Sequence, residues 1–132
     1  MQPLPHRYDV VARGGPTGNL LVESENLPTL EATAPAQFGG PGNVWSPEDL
    51  LVASVASCFI LTFDTLAEFA HLPWIEIRCP TEAILEMADG KRRFTRFFMR
   101  PSGRRFTISG SGGMRFICWR MPPVPVAPSI IR

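Results

Sequence analysis

Three cysteines, Cys58, Cys79 and Cys118, are the side chains in this 132-residue sequence best suited to nucleophilic or redox work. An odd count without metal-ligand spacing and without the density of a disulfide scaffold points to thiols acting as thiols. A thiol reacts as its thiolate, and an unperturbed cysteine with a pKa of about 8.5 is mostly protonated at neutral pH, so such chemistry needs a cation nearby. Other chemistries find little support. With His6 and His71 as the two histidines, neither a histidine-built metal centre nor a cysteine-histidine hydrolase can be assembled with conviction. No glycine-rich phosphate loop and no Ser-His-Asp arrangement can be defended. The plain alternative for each cysteine is a small core residue. For Cys79, at the end of an expected strand and followed by Pro80, that alternative is the better reading.

Cys58 must be positioned by the segment that contains it. Ser46-Pro47-Glu48-Asp49 followed by a long apolar run is a helix start: Ser46 caps, Pro47 takes the first helical position, and Asp49 stands where a capping box places its acid. The apolar residues cover almost every face, from Leu50, Leu51, Ala53 and Val55 through Phe59, Ile60, Phe63 and Phe69. A helix apolar all round is expected to be surrounded by protein. His71-Leu72-Pro73 ends it, because the residue before a proline is pushed out of helical geometry. Cys58 then lies about 18 Å beyond the cap, too far for the helix dipole to act on it. Glu48 precedes it by ten residues, about 15 Å of rise and about 280° of rotation, so one straight helix keeps the two side chains apart.

Strands are expected on both sides of this helix. Residues 7–13 and 19–24 read as a hairpin around Gly14-Gly15-Pro16-Thr17-Gly18, and a third extended piece over 27–32 leads into a Pro- and Gly-rich loop over 34–43. After the helix, residues 74–79, 81–87 and 92–100 alternate, with Asp89-Gly90 as the turn of a second hairpin. The order predicts an α+β fold, antiparallel strands packed around a long buried central helix, rather than a βαβ nucleotide-binding unit. Residues 102–132 change character: five arginines, four prolines, no acid, a short strand at 104–108 and otherwise irregular chain. Either an out-of-frame end or a genuinely divergent tail accounts for that composition.

Length and composition suit one soluble domain over residues 1–132, with 45% apolar and 19% charged residues and a net charge of +1. Charge implies no nucleic-acid and no membrane partner. The apolar run over 50–63 is 14 residues, short of the roughly 18 a membrane span needs. The first residues carry no secretory pattern, and the cysteine usage suits a reducing, cytoplasmic setting.

Taken together, Phe38-Gly39-Gly40-Pro41-Gly42, Trp45-Ser46-Pro47-Glu48-Asp49-Leu50-Leu51, the stretch from Ala53 to Cys58-Phe59, and Asp89-Gly90 followed by Arg93-Phe94-Thr95-Arg96 resemble the OsmC/Ohr family of osmotically inducible and organic-hydroperoxide-resistance proteins. The resemblance covers about residues 7–101. It implies a thiol peroxidase working as an intertwined homodimer, without metal or bound cofactor. Cys58 would take the place of the cysteine that attacks an organic or lipid hydroperoxide. Cys118 would take that of the resolving cysteine, with recycling by a dithiol of the lipoyl-protein or thioredoxin type. Glu48 would orient the activating arginine, and the glutamate near a given thiol would come from the other chain.

Two positions depart from the family pattern. Its first turn typically reads Gly-Gly-Arg, whereas Gly14-Gly15 is followed here by Pro16, so that Arg13 becomes the candidate cation. The family also places the resolving cysteine on a helix, while Cys118 is followed by Trp119-Arg120-Met121-Pro122-Pro123, which forbids helix immediately afterwards. Arg13 and Phe59 are the expected substrate contacts, with Phe38, Trp45 and Phe63 as further candidates for an apolar pocket or for plain core packing. The alternative function is a non-catalytic dimer with the family core, acting in binding or as an inactive remnant.

Overall fold

The β-favouring residues flanking the Gly14–Gly18 turn pair as expected in the computed structural model, which describes residues 2–108 and 114–126. Strands β1 (Val11–Arg13) and β2 (Leu20–Glu23) run antiparallel with Val11 opposite Glu23, and β3 (Leu30–Ala32) joins the far side of β2 with Leu20 opposite Ala32. Ala32 also bridges to Trp45, and the Thr33 amide donates to the Trp45 carbonyl at 2.8 Å, which fixes where the chain enters the helix. The intervening loop turns so tightly that a Cβ at Gly40 would collide with the Ala34 carbonyl oxygen, so this position accepts only glycine.

Helix α1 (Pro47–Phe69) starts where the capping residues put it. The Ser46 hydroxyl accepts from the Asp49 amide at 3.1 Å, and Asp49 Oδ2 in turn accepts from the Ser46 amide at 3.1 Å and from its hydroxyl at 2.8 Å. Aspartate thus closes a capping box as glutamate would. At the other end His71 adopts a left-handed φ of 51°, its amide reaching the Glu68 carbonyl and that of Leu72 the Ala67 carbonyl. Both bonds are those of a Schellman stop, built here on a residue other than glycine.

The burial expected of α1 is not found. Ala67 is its one buried residue, while Leu61, Leu66 and Phe69 are exposed, Phe69 by 88%. Apolar periodicity states that a face prefers cover; it does not say that the same chain provides it. By length and composition alone α1 could cross a membrane, although the core helix of a soluble protein meets the same criterion.

The remaining strands form two more sheets. One contains β4 (Glu76–Arg78) paired with β7 (Ser102–Ile108), which pairs in turn with β8 (Met114–Arg120). The other holds β5 (Thr81–Ala88), β6 (Lys91–Met99) and β9 (Val124–Val126). Asp89 and Gly90, with φ of 52° and 74°, make the two-residue turn between β5 and β6 that the Asp-Gly pair announces. Here the core is found: Phe97 and Met99 on β6 and Ile77 on β4 are buried, with Phe94 tilted against Phe97 at 5.5 Å.

The tail is a second correction. Residues 102–108 and 114–120 form a full antiparallel pair, Ser102 opposite Arg120 through Ile108 opposite Met114, where mostly irregular chain is expected. Phe106, Thr107, Ile108, Phe116, Ile117 and Trp119 are strong strand formers, and their preference outweighs the arginine and proline content that suggests disorder. Residues 127–132, also part of the expected irregular tail, lie outside the described residues. Two compact units, Met1–Leu51 and Val52–Arg132, divide the chain, and each is described by itself below.

Candidate functional site

Cys58 sits about three turns into α1, and its thiol is free and exposed rather than enclosed in a core. Helical spacing of three and four residues places Ser54, Cys58, Leu61, Thr65 and Phe69 along one exposed stripe. The Ser57 and Thr65 hydroxyls donate to the Ala53 and Leu61 carbonyls at 2.7 and 3.0 Å, so both are satisfied within the helix. Phe59 follows Cys58 and is half-buried, and Phe63 packs edge-on against Trp74 at 5.6 Å. That contact gives Phe63 a packing role. Phe38 and Trp45 are exposed.

In the N-terminal unit the expected pairing of Arg13 with Glu48 is absent. Arg13 instead grips Glu23, Nε donating to Oε2 at 2.8 Å and Nη2 to Oε1 at 2.7 Å. The hydrogen bonds from Arg13 hold the Glu23 carboxyl below the usual carboxylate range, and the same bonds hold the Arg13 guanidinium above its ordinary value. Register explains the exchange: Arg13 on β1 and Glu23 on β2 are diagonal neighbours of an antiparallel pair, within reach of long side chains. Glu48, on the first turn of α1, keeps Oε2 buried with no hydrogen-bond partner. An enclosed carboxylate oxygen without a donor is costly, by about 1–3 kcal/mol or more.

Cys118 lies on β8 directly opposite Arg104 of β7, on a strand where the family pattern has a helix. Cys79 is half-buried, its Sγ 3.7 Å from the Thr81 hydroxyl, which itself donates to the Cys79 carbonyl at 3.0 Å. This small turn at a strand end agrees with a structural role. Among the described residues no group of three or more His, Cys, Asp or Glu side chains gathers as metal ligands.

Sequence reasoning missed one feature of the C-terminal unit. Arg78, Ser102 and Arg120 stand in register across β4, β7 and β8. Nothing in the sequence signals it, because the row depends on strand register.

No protein-family model matches the chain. Over 81 residues it is 28% identical to the uncharacterized protein YmaD of Bacillus subtilis (strain 168), an alignment covering 61% of this chain and 53% of YmaD. The chain thus spans about half the length of the curated relative it matches.

Proposed function

We propose that this chain is a cysteine-based peroxidase of the OsmC/Ohr type that reduces organic or lipid hydroperoxides. The observation that carries the reading is the free, exposed thiol of Cys58 on a capped helix, in the sequence context that resembles the family. The Cys58 thiolate attacks the terminal oxygen of the hydroperoxide, the O–O bond breaks, and the alcohol leaves with a proton, giving a sulfenic acid. The Cys118 thiol then displaces water to form a disulfide, which an external dithiol reduces to two thiols. No metal or bound cofactor enters this cycle.

The working form is a cytoplasmic homodimer. Its support is the exposed Leu61, Leu66 and Phe69 of α1, which a second copy would cover, and the enclosed Glu48 oxygen, an acceptor for a cation that the chain's own Arg13 does not supply. Apolar surface of this extent commonly marks an association face.

The retention of Arg13 by Glu23, together with a strand-borne Cys118, favours a second reading, in which a non-catalytic dimer keeps the core without an activated thiol. Consumption of an organic hydroperoxide with a small dithiol separates the two. Loss of activity in both Cys58→Ser and Cys118→Ser is the expected result for the two-cysteine cycle. A folded, dimeric parent protein without turnover would leave the non-catalytic form.

A further inference from the structure

Positive charge is concentrated in the C-terminal unit: eleven of the thirteen Lys and Arg residues but four of the twelve acids lie beyond Ile75. Four of these cations form ion pairs among the described residues. Arg93 meets Asp89, Arg96 meets Glu86, Arg100 meets Glu82 and Arg104 meets Glu76. Arg78 and Arg120 form no ion pair among the described residues.

The register of β4, β7 and β8 brings these two cations into one row. Arg78 is opposite Ser102, and Ser102 is opposite Arg120. Directly opposed residues share a sheet face, and two strand spacings separate the outer positions by roughly 9.6 Å. In the adjacent row Arg104 occupies the same face, holding Glu76 at 2.7 Å. Three guanidiniums therefore stand against one carboxylate. Both Arg78 and Arg120 are exposed, and Ser102 between them is half-buried with no hydrogen bond to its hydroxyl among the described residues.

We infer that the Arg78-Ser102-Arg120 row binds the phosphate group of a small molecule. Two planar guanidinium forks approaching from opposite sides supply paired donors and two positive charges, and the hydroxyl between them supplies a further donor. A doubly charged tetrahedral oxyanion matches that set, whereas a single carboxylate satisfies one fork and leaves the other unmatched. The site is independent of Cys58 and stands whether or not that thiol turns over peroxide.

Inorganic phosphate and phenyl phosphate, titrated into the full chain at fixed ionic strength and followed by calorimetry and phosphorus NMR, test the assignment. Saturable binding of phosphate, stronger than that of acetate, is the expected result. Phenyl phosphate binding as well or better identifies a phosphomonoester as the ligand, and weaker binding identifies free phosphate. Arg78→Gln and Arg120→Gln are each expected to weaken binding by about tenfold or more. Arg93→Gln, which removes a cation already held by Asp89, leaves it unchanged. Arg78→Lys and Arg120→Lys retain the charge and lose the fork, and fall between. No saturable binding in the parent protein, or equal weakening by Arg93→Gln, overturns the proposal. Circular dichroism of each variant confirms that the comparison is between folded proteins.

Discussion

The β1-β2-β3 sheet and the β5-β6-β9 sheet are built on the same antiparallel ladder, yet they differ in what happens to their apolar side chains. In the second, Phe97 and Met99 are enclosed and Phe94 leans on Phe97. In the first, Val11 and Leu20 are exposed, as are Tyr8 and Val10 just before β1, and among the described residues of the N-terminal unit only Ala32 and Ser46 are buried. Hydrogen bonding organises both sheets, but burial of apolar area is what makes such an arrangement persist. The N-terminal sheet thus depends on local devices: a turn, the Trp45 bridge, the capping box and the Arg13–Glu23 pair. Further cover would stabilise such a sheet, and under the proposed dimer a second copy is one source of it.

The contrast can be broken most severely at Phe97. Phe97→Ala is expected to lower stability by about 3–5 kcal/mol in denaturant unfolding, because it empties a packed site. If the exposed stripe of α1 is covered by a second copy, the melting temperature rises with protein concentration, and Leu61→Asp on that stripe abolishes the dependence. Sedimentation measured alongside shows whether the mass halves. Ser46→Ala removes the cap hydroxyl that accepts from the Asp49 amide and is expected to cost about 1 kcal/mol, read from the same unfolding curves. Val11→Ala, in contrast to Phe97→Ala, stays within about 0.5 kcal/mol in the dissociated chain. The smallest effect is electrostatic. Since the folded Glu23 carboxyl lies below its unfolded value, its contribution is complete at neutral pH and is lost as pH falls below the ordinary carboxylate range through the depressed folded value. An NMR titration of the Glu23 side chain, with and without Arg13→Gln, measures it.

How much of this was legible in the sequence follows from how local each determinant is. The Ser46–Asp49 capping box and the Asp89-Gly90 turn depend on residues a few positions apart, and both formed where the residues placed them. The exposure of α1 was not legible, since helical periodicity records a preference for cover and not its source. The strands of the tail were obscured because five arginines and four prolines accompany the strand-forming Phe106, Thr107, Ile108, Phe116, Ile117 and Trp119 without a regular alternation. The Arg13–Glu23 pair was not legible either, because only the strand register shows that Glu23 lies diagonally across from Arg13.

One consequence of the β9 edge concerns uncontrolled growth. Pro125 lies opposite Phe98 and carries no amide hydrogen, so this border of the sheet has a gap in its row of donors. Naked strand borders recruit further strands and seed fibrous aggregates, and proline is a recurrent natural guard against that process. At the β9 border of the sheet that holds the core, Pro125 thus hinders the addition of a further strand.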